Sequence, residues 1–389
     1  MSFWDDLPRP ILGLSPMDGV TDAAFRRIVA WHGKPDVTFT EFTHVHDVCR
    51  GPEVLLESLL YSEAERPIVA QLYGKQPDLF YQAAHVVCEL GFDGLDLNMG
   101  CPSRNVASSG SGAGLIRTPD LAVEIIRAAR EGIRDWVGGQ TLEAAGIRPA
   151  RADAIRRLKN GARIIDPCQR RPIPLSIKTR LGYDTVVVER WVEYLQRERP
   201  AVISLHGRTL QQMYRGEADW RAIGRAAEVL RGSGTLLLGN GDVHSLEDAA
   251  RRVRETAVDG VLIGRAVCGS PWFFREKEAA RDTAARASCD ALQPWLPPLE
   301  SRFEILLQHA RHFEAQFGVQ QFRRMRKHLG WYCKGFPHAA TLRAAMFKAS
   351  SLSEVVGFLD DFRSDRLRDT GNAPSEESDP RASFASRCG

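Results

Sequence analysis

Leu95-Asp96-Leu97-Asn98-Met99-Gly100-Cys101-Pro102-Ser103-Arg104-Asn105-Val106 begins as a short apolar strand and runs directly into a cysteine followed by a proline. Gly110, Gly112 and Gly114 follow, and an amphipathic helix over 119–131 closes the unit. Thr118 is placed to cap the exposed amides of that helix. Pro119 stands at its first position, where a missing N–H costs nothing. A thiol at the end of a buried strand, under a glycine-rich loop, is where an enzyme can keep a reactive group.

The strand–loop–helix unit recurs on both sides of this stretch. Apolar, β-rich runs at 11–17, 37–42, 67–74, 94–99, 174–181, 202–206, 235–239 and 260–263 alternate with helical patterns at 22–30, 78–90, 119–131, 187–196, 220–230 and 245–255. Eight repeats in roughly 250 residues fit a (β/α)8 barrel better than an open doubly wound sheet. Nearly continuous apolar strands suit a parallel sheet covered on both faces. Pro16-Met17-Asp18-Gly19, after the first run, is not the nucleotide fingerprint an open sheet often carries there.

Past Trp272 the pattern changes. Residues 276–299 read as a linker closed by Pro294, Pro297 and Pro298, and 300–362 as helices only, at 302–317, 320–332, 339–350 and 352–362. The expected fold class is therefore α/β, a TIM barrel over 1–275 with a small C-terminal all-helical domain over 300–362. Residues 134–171, rich in Gly, Arg and Ala, read as a solvated surface insertion with one helix near 150–158. The polar segment 363–389 reads as a disordered tail.

The 389 residues are 43% hydrophobic and 26% charged, an ordinary globular composition. No apolar run approaches the ~20 residues needed to cross a bilayer, so no membrane is expected. The first six residues lack a basic segment leading into an apolar core, which excludes a signal peptide and favours a cytoplasmic protein. The eight cysteines are scattered with no C-x-x-C pair, so zinc-ribbon and thioredoxin readings have no support and no metal is expected. Net charge is only +3. Between residues 319 and 348, however, stand Arg323, Arg324, Arg326, Lys327, Lys334, Arg343 and Lys348 with no Asp or Glu, and Phe322, Trp331, Tyr332, Phe336 and Phe347 lie among them. That local positive surface points to an anionic partner.

Barrels of this kind build their sites at the C-terminal ends of the strands. The polar residues cluster there: Ser15-Pro16-Met17-Asp18 after the first run, Gln71 in the third, Asn98 and Cys101 after the fourth, Lys178 and Arg180 in the fifth, His206 and Arg208 after the sixth, Asn240-Gly241-Asp242 after the seventh and Gly264-Arg265 after the eighth. Lys178 and Arg180 are two apart and share a face, either the interior, where an anion must offset them, or the helix side; apolar Ile177 and Leu181 in the other register favour the interior. Glycines after consecutive strands, with an arginine, favour a phosphate site over simple turn chemistry. His206 is either a core histidine or a ligand contact. Cys101 is a nucleophile, a metal ligand or a buried thiol, and its place between Gly100 and Pro102 argues for exposure.

As an ordered set these motifs resemble the tRNA-dihydrouridine synthases. The pieces are Ser-Pro-Met-Asp-Gly-Val-Thr-Asp (15–22), Thr-Glu-Phe (40–42), Gln71, Asp-Leu-Asn-Met-Gly-Cys-Pro-Ser (96–103), Ser-Ile-Lys-Thr-Arg-Leu-Gly (176–182), His-Gly-Arg-Thr (206–209) through Trp220, Gly-Asn-Gly-Asp (239–242) and Ile-Gly-Arg (263–265). The resemblance implies an FMN enzyme that uses NADPH to reduce the C5=C6 bond of uridines in tRNA. It implies that Pro16, Met17 and Asp18 line the flavin, that Gln71 and Lys178 bond its ring, and that Asn240, Gly241, Asp242, Gly264 and Arg265 hold its phosphate end. His206 would lie between flavin and substrate, Asn98 and Arg180 would grip the uracil with Arg208 in the same substrate set, and Cys101 would be the general acid. The helical domain would bind tRNA, the protein acting as a monomer. Two other readings fit parts of the pattern: an FMN barrel acting on a free pyrimidine or other small molecule, and an RNA-binding barrel without catalysis.

Overall fold

The computed structural model describes residues 2–158, 170–286 and 295–371. Nine strands form one sheet: β1 (Ile11–Leu14), β2 (Thr38–Phe39), β3 (Thr43–His44), β4 (Ile68–Tyr73), β5 (Gly94–Met99), β6 (Leu175–Arg180), β7 (Val202–His206), β8 (Leu236–Asn240) and β9 (Gly260–Ile263). Their order is β1-β9-β8-β7-β6-β5-β4-β2, every pair parallel, with β3 also on β4. Asp36 N donates to Leu12 O at 2.9 Å and Leu14 N to Val37 O at 3.0 Å, which brings the two ends of the sheet together. The (β/α)8 barrel expected from the repeats is the observed fold.

The run at 37–42 is not one strand. Thr40 Oγ1 takes the amide of Gln71 at 3.0 Å, so a side chain replaces a backbone rung and the edge breaks between β2 and β3. Elsewhere the two-residue period sorts the side chains. Leu95, Leu97 and Met99 of β5 enter the core beneath the helices, while Asp96 and Asn98 take the other register. Adjacent strands repeat this choice, aligning Asp96 with Ser176, Asn98 with Lys178 and Ser204, and Arg180 with His206 and Asn240. A second apolar cluster gathers Ile11, Val37, Phe39, Val69, Val202, Leu238 and Leu262 around Trp4. Trp4 is carried on a short helix (Phe3–Asp6) that Ser2 and Asp5 close with a capping box. The barrel is thus apolar at one end and polar at the other.

Several expectations change. The helix Pro119–Val137 outruns its sequence pattern by a turn and a half, and Thr118 gives it no side-chain cap, because its backbone (φ −128°, ψ 67°) turns the hydroxyl away. Residues 134–158 of the 134–171 segment are not a solvated excursion. Leu142, Ile147 and Ile155 join the main core, and buried Arg151 donates from Nε to Val48 O at 2.9 Å and from Nη2 to Asp47 O. Its arginines masked an apolar face. Residues 159–169 of that segment lie outside the described residues.

The supposed linker contains a helix, Lys277–Arg286, fastened by charge rather than by an apolar stripe. Buried Asp36 accepts from the Leu12 amide at 2.7 Å, from Lys277 Nζ at 2.8 Å and from Arg281 Nη2. The chain divides into two compact units, 1–298 and 299–389. In the second, helices Leu299–Phe317, Arg326–Tyr332, Ala339–Met346 and Leu352–Gly371 surround Phe303, Leu306, Phe313, Leu329 and Leu359. The pattern at 320–332 opens as a 3-10 turn (Val319–Met325), whose spacing buries Phe322 and Met325 on one side. The last helix runs to Gly371, into the expected tail; residues 372–389 lie outside the described residues. No helix among the described residues is long and apolar enough to cross a membrane.

Removing the Asp36 carboxylate takes the shared acceptor from Lys277, Arg281 and the Leu12 amide at the joint between the first strand and the 277–286 helix, leaving Lys277 only the Lys34 carbonyl and Arg281 the Pro10 carbonyl and Glu278. Asp36→Ala is expected to cost about 3 kcal/mol of unfolding free energy in urea titration. A loss below about 1 kcal/mol makes the joint incidental.

Candidate active site

A cavity of about 520 Å³ opens at the C-terminal ends of the strands, and every residue the sequence singled out for the site lines it. That volume suits a cofactor-sized ligand. Phe42, Met213, Tyr214 and His244 also line it and were given no role from sequence. Tyr214 is 66% exposed, so neither burial pattern nor periodicity marks it.

The end of β5 organises one wall. Asn98 Oδ1 accepts the amides of Gly100 at 3.0 Å and Cys101 at 2.8 Å, and its Nδ2 donates to Gln71 Oε1 at 2.9 Å. Asn98 can therefore offer a ligand only its second Nδ2 hydrogen. Cys101 is not exposed as expected but 5% accessible, because the following loop folds over it; a Cβ on Gly112 (φ +56°) would stand 3.1 Å from Cys101 Cβ. Burial pushes the thiol up, against the Ser103 amide and the charges of Arg180 and Lys178, so it stays protonated at neutral pH. Cys49, Cys88 and Cys333 are buried thiols away from the cavity.

Lys178 points into the cavity, enclosed by protein, and its Nζ makes no hydrogen bond among the described residues. Burial and then Arg180 lower it to about 8, with Asp96 and Cys101 opposing. Arg180 spends Nε on Gly100 O at 2.7 Å and Nη1 on Thr209 O and Met213 O at 3.1 and 3.4 Å, which leaves Nη2 for a ligand. Burial lowers Arg180 to about 10, still charged at neutral pH. His206 falls to about 2 through burial and the charges of Arg180, Lys178, Arg208 and Arg265, so its imidazole is neutral. Arg208 Nη1 approaches its Nε2 at 3.4 Å, which puts the ring proton on Nδ1.

Arg208 is not free to hold substrate. Its five N–H groups meet Arg215 O, His206 Nε2, Gly216 O and both oxygens of Asp242, the last at 3.2 and 2.6 Å. Asp242 also accepts from Ala218 N at 2.9 Å and Arg265 Nη2 at 2.8 Å. Burial raises its carboxyl, and these partners more than reverse that, leaving it below its usual value. Asp242 thus ties Arg208, Arg265 and the 207–219 loop together beside Gly241. Gly241 has φ +124°, and a Cβ there would lie 2.8 Å from Ala218 Cβ and 3.0 Å from the His206 ring. The bare backbone forms a cradle at this corner.

Two features stand apart. Glu41, in the break between β2 and β3, is pushed up to about 7 by burial and by Asp22. His44, His46 and Asp47 bring their potential ligand atoms within 4.8 Å of one another, with His46 exposed. In the second unit, Arg323, Arg324, Lys334 and Lys348 are exposed. Arg326 and Arg343 instead bond carbonyls of Lys348, Ala349 and Cys333. Of the aromatics in that stretch only Phe347 is exposed; Phe322 and Tyr332 belong to the core.

A parallel barrel whose polar strand ends gather a lysine without a hydrogen-bond partner among the described residues, a protonated thiol and a glycine corner into one cavity has the layout of a barrel enzyme. The Dihydrouridine synthase (Dus) family model matches residues 13–138 and 164–366. A probable tRNA-dihydrouridine synthase of Staphylococcus aureus (strain COL) is 32% identical over 93% of this chain and 95% of its own. A probable tRNA-dihydrouridine synthase 2 of Bacillus subtilis (strain 168) is 33% identical over 93% and 96%. Among solved structures, the old yellow enzyme from Trypanosoma cruzi is similar at a TM-score of 0.43 and 11% identity, over 75% of this chain and 91% of that one. The chain belongs to the dihydrouridine synthase family and is an oxidoreductase of that type.

A lysine with a native pKa near 8 binds fewer protons than the unfolded chain up to its ordinary value of about 10.4. Stability therefore rises with pH through that window, and below it the buried charge is a cost. Lys178→Met is expected to raise the melting temperature of the ligand-free protein at pH 7 by roughly 2 °C or more and to flatten its rise between about pH 8 and 10. Scanning calorimetry across that range reads both effects, and a destabilised Met variant contradicts them.

Proposed function

We propose that the protein reduces uridines of tRNA to 5,6-dihydrouridine with FMN and NADPH. The observation that carries this is Lys178, a cation lining the cavity without a hydrogen-bond partner among the described residues, facing the same cavity as a protonated thiol. The fit to FMN rests on three features: a cation awaiting an acceptor, the Gln71 amide in the same wall, and the Gly241 cradle that a Cβ would fill. Gln71 and Lys178 would hold the ring, Pro16, Met17 and Asp18 would line it, and Asn240, Gly241, Gly264 and Arg265 would hold the phosphate, with Asp242 keeping Arg265 and the cradle in place. When bound, FMN would supply the hydride chemistry for the C5=C6 bond, with NADPH as its reductant.

The protein's own residues do the rest. Arg180 Nη2 and the second Nδ2 hydrogen of Asn98 would bind the uracil oxygens, and the guanidinium stabilises charge developing at O4. Neutral His206 adds a polar contact without another cation. Cys101 gives its proton to C5, completing the addition of one hydride and one proton across C5=C6. A thiol held above its usual pKa suits this role, since it must be protonated before the step.

A uridine within folded tRNA must leave the stack to reach this depth. The exposed cations Arg323, Arg324, Lys334 and Lys348 offer phosphate contacts on the helical unit. The test compares NADPH-dependent turnover of an unmodified tRNA transcript with that of free uracil. Dihydrouridine in the tRNA alone is expected; reduction of uracil but not tRNA defeats the proposal. Cys101→Ala is expected to retain flavin absorbance and to lose about 10²-fold or more in dihydrouridine formation by mass spectrometry. Turnover at the parent rate would remove Cys101 as the acid.

A further inference from the structure

Asp96 is a fully buried carboxylate on β5 that takes no part in the chemistry above. Its Oδ1 accepts from Ser176 Oγ at 2.6 Å and its Oδ2 from Gln71 Nε2 at 2.7 Å. Burial pushes the carboxyl up to about 6, while the Ser176 and Gln71 hydrogen bonds and the Lys178 charge pull the other way, so the carboxylate is ionised at neutral pH.

An ionised carboxylate can only accept. Gln71 must therefore turn its NH2 toward Asp96, which leaves Oε1 to accept from Asn98 Nδ2. Asn98 is fixed in turn, because a donor directed at Gln71 leaves its Oδ1 facing the amides of Gly100 and Cys101. The oxygen and nitrogen of a side-chain amide are nearly equal in shape, so each partner decides which way the next group faces. The relay is fixed at both ends: Asp96 can only accept, and the Gly100 and Cys101 amides can only donate, so the Gln71 and Asn98 side chains are locked between them.

We infer that Asp96 is a positioning residue, which through Gln71 and Asn98 sets the hydrogen-bond polarity of the cavity wall and holds the Cys101 backbone so that its thiol faces the cavity. For Gln71 this rests on the flavin reading; for Cys101 it rests on the protein alone. A merely structural Asp96 would act through stability and through the loss of its charge beside Lys178, and the double variant Gln71→Glu with Asp96→Asn, which keeps one carboxylate in the relay, separates that from orientation. A positioning Asp96 also governs flavin affinity and the ionisation of a thiol it does not touch.

Asp96→Asn keeps the shape but can turn a donor toward Gln71, which sets that end of the relay against the end held by the Gly100 and Cys101 amides. Two readouts on the full chain test it: FMN affinity by fluorescence titration, and the pH profile of Cys101 alkylation by iodoacetamide in flavin-free protein, followed on the Cys101 peptide by mass spectrometry. FMN binding is expected to weaken about tenfold, and the alkylation midpoint to move by about 0.5 pH unit or more. A folded variant with the parent's FMN affinity and alkylation profile overturns the inference. If the parent binds no FMN while the variant's Cys101 profile still moves, the flavin reading fails and the positioning role stands. Should Asp96→Asn fail to fold, Gln71→Glu sets two carboxylates against each other, and adding Asp96→Asn exchanges donor for acceptor. The double variant is expected to recover the parent Cys101 profile lost in Gln71→Glu; no recovery overturns the relay.

Discussion

The turn at the end of β5 depends on one acceptor, Asn98 Oδ1, which takes the amides of Gly100 and Cys101 as the strand leaves the sheet. Without it two buried amides lack a partner, each costing about 1–3 kcal/mol, and the thiol loses its fixed origin. The contact works because β5 obeys a two-residue period. The register that sends Leu95, Leu97 and Met99 to the outer core sends Asp96 and Asn98 inward together. Parallel alignment then sets Ser176 beside Asp96 and Lys178 beside Asn98. Packing and chemistry are thus decided by one register, and slipping it by one residue would exchange them.

The inward layers also explain how the barrel carries so many charges. Arg208 and Asp242 neutralise each other over two hydrogen bonds, with Arg265 on the outer side. Arg180 is held by backbone carbonyls rather than by a carboxylate. Asp96 is the acid placed deepest, and it is shared between Gln71 and Ser176 rather than bound to Lys178. Positive charge therefore accumulates on the wall where Lys178 and Arg180 stand, while at the Gly241 corner one carboxylate, Asp242, offsets part of the charge of Arg208 and Arg265.

The eight-fold repeat was legible because each strand is apolar in one register and is followed by a helix of different period. The strand-end rule gathered the site residues for the same reason, since a barrel brings every strand end to one face. Pairings across long sequence gaps were not legible. Arg208 reads as a substrate contact until Asp242, 34 residues later, takes its fork. Cys101 reads as exposed because Gly100 and Pro102 signal a loop, and nothing local says that Gly112 returns to cover it. The 134–171 segment reads as solvated because its arginines dominate the composition, yet Arg151 is buried on the carbonyls of Asp47 and Val48. The 277–286 helix escaped because its anchor, Asp36, lies some 240 residues upstream.

The pKa directions at the cavity share one physical sense. Burial moves the Cys101 thiol up and the His206 imidazole and Lys178 ammonium down, each toward its neutral form. A buried wall where cations outnumber carboxylates is an unfavourable place for further positive charge, and each group responds as far as its chemistry permits. Arg180 alone stays fully committed to its charge. An anionic ligand changes the sign of the local field, restoring Lys178 toward full protonation and raising the thiol further. Anion binding and thiol protonation are then one electrostatic event: an anion that fills the cavity also holds the proton on Cys101.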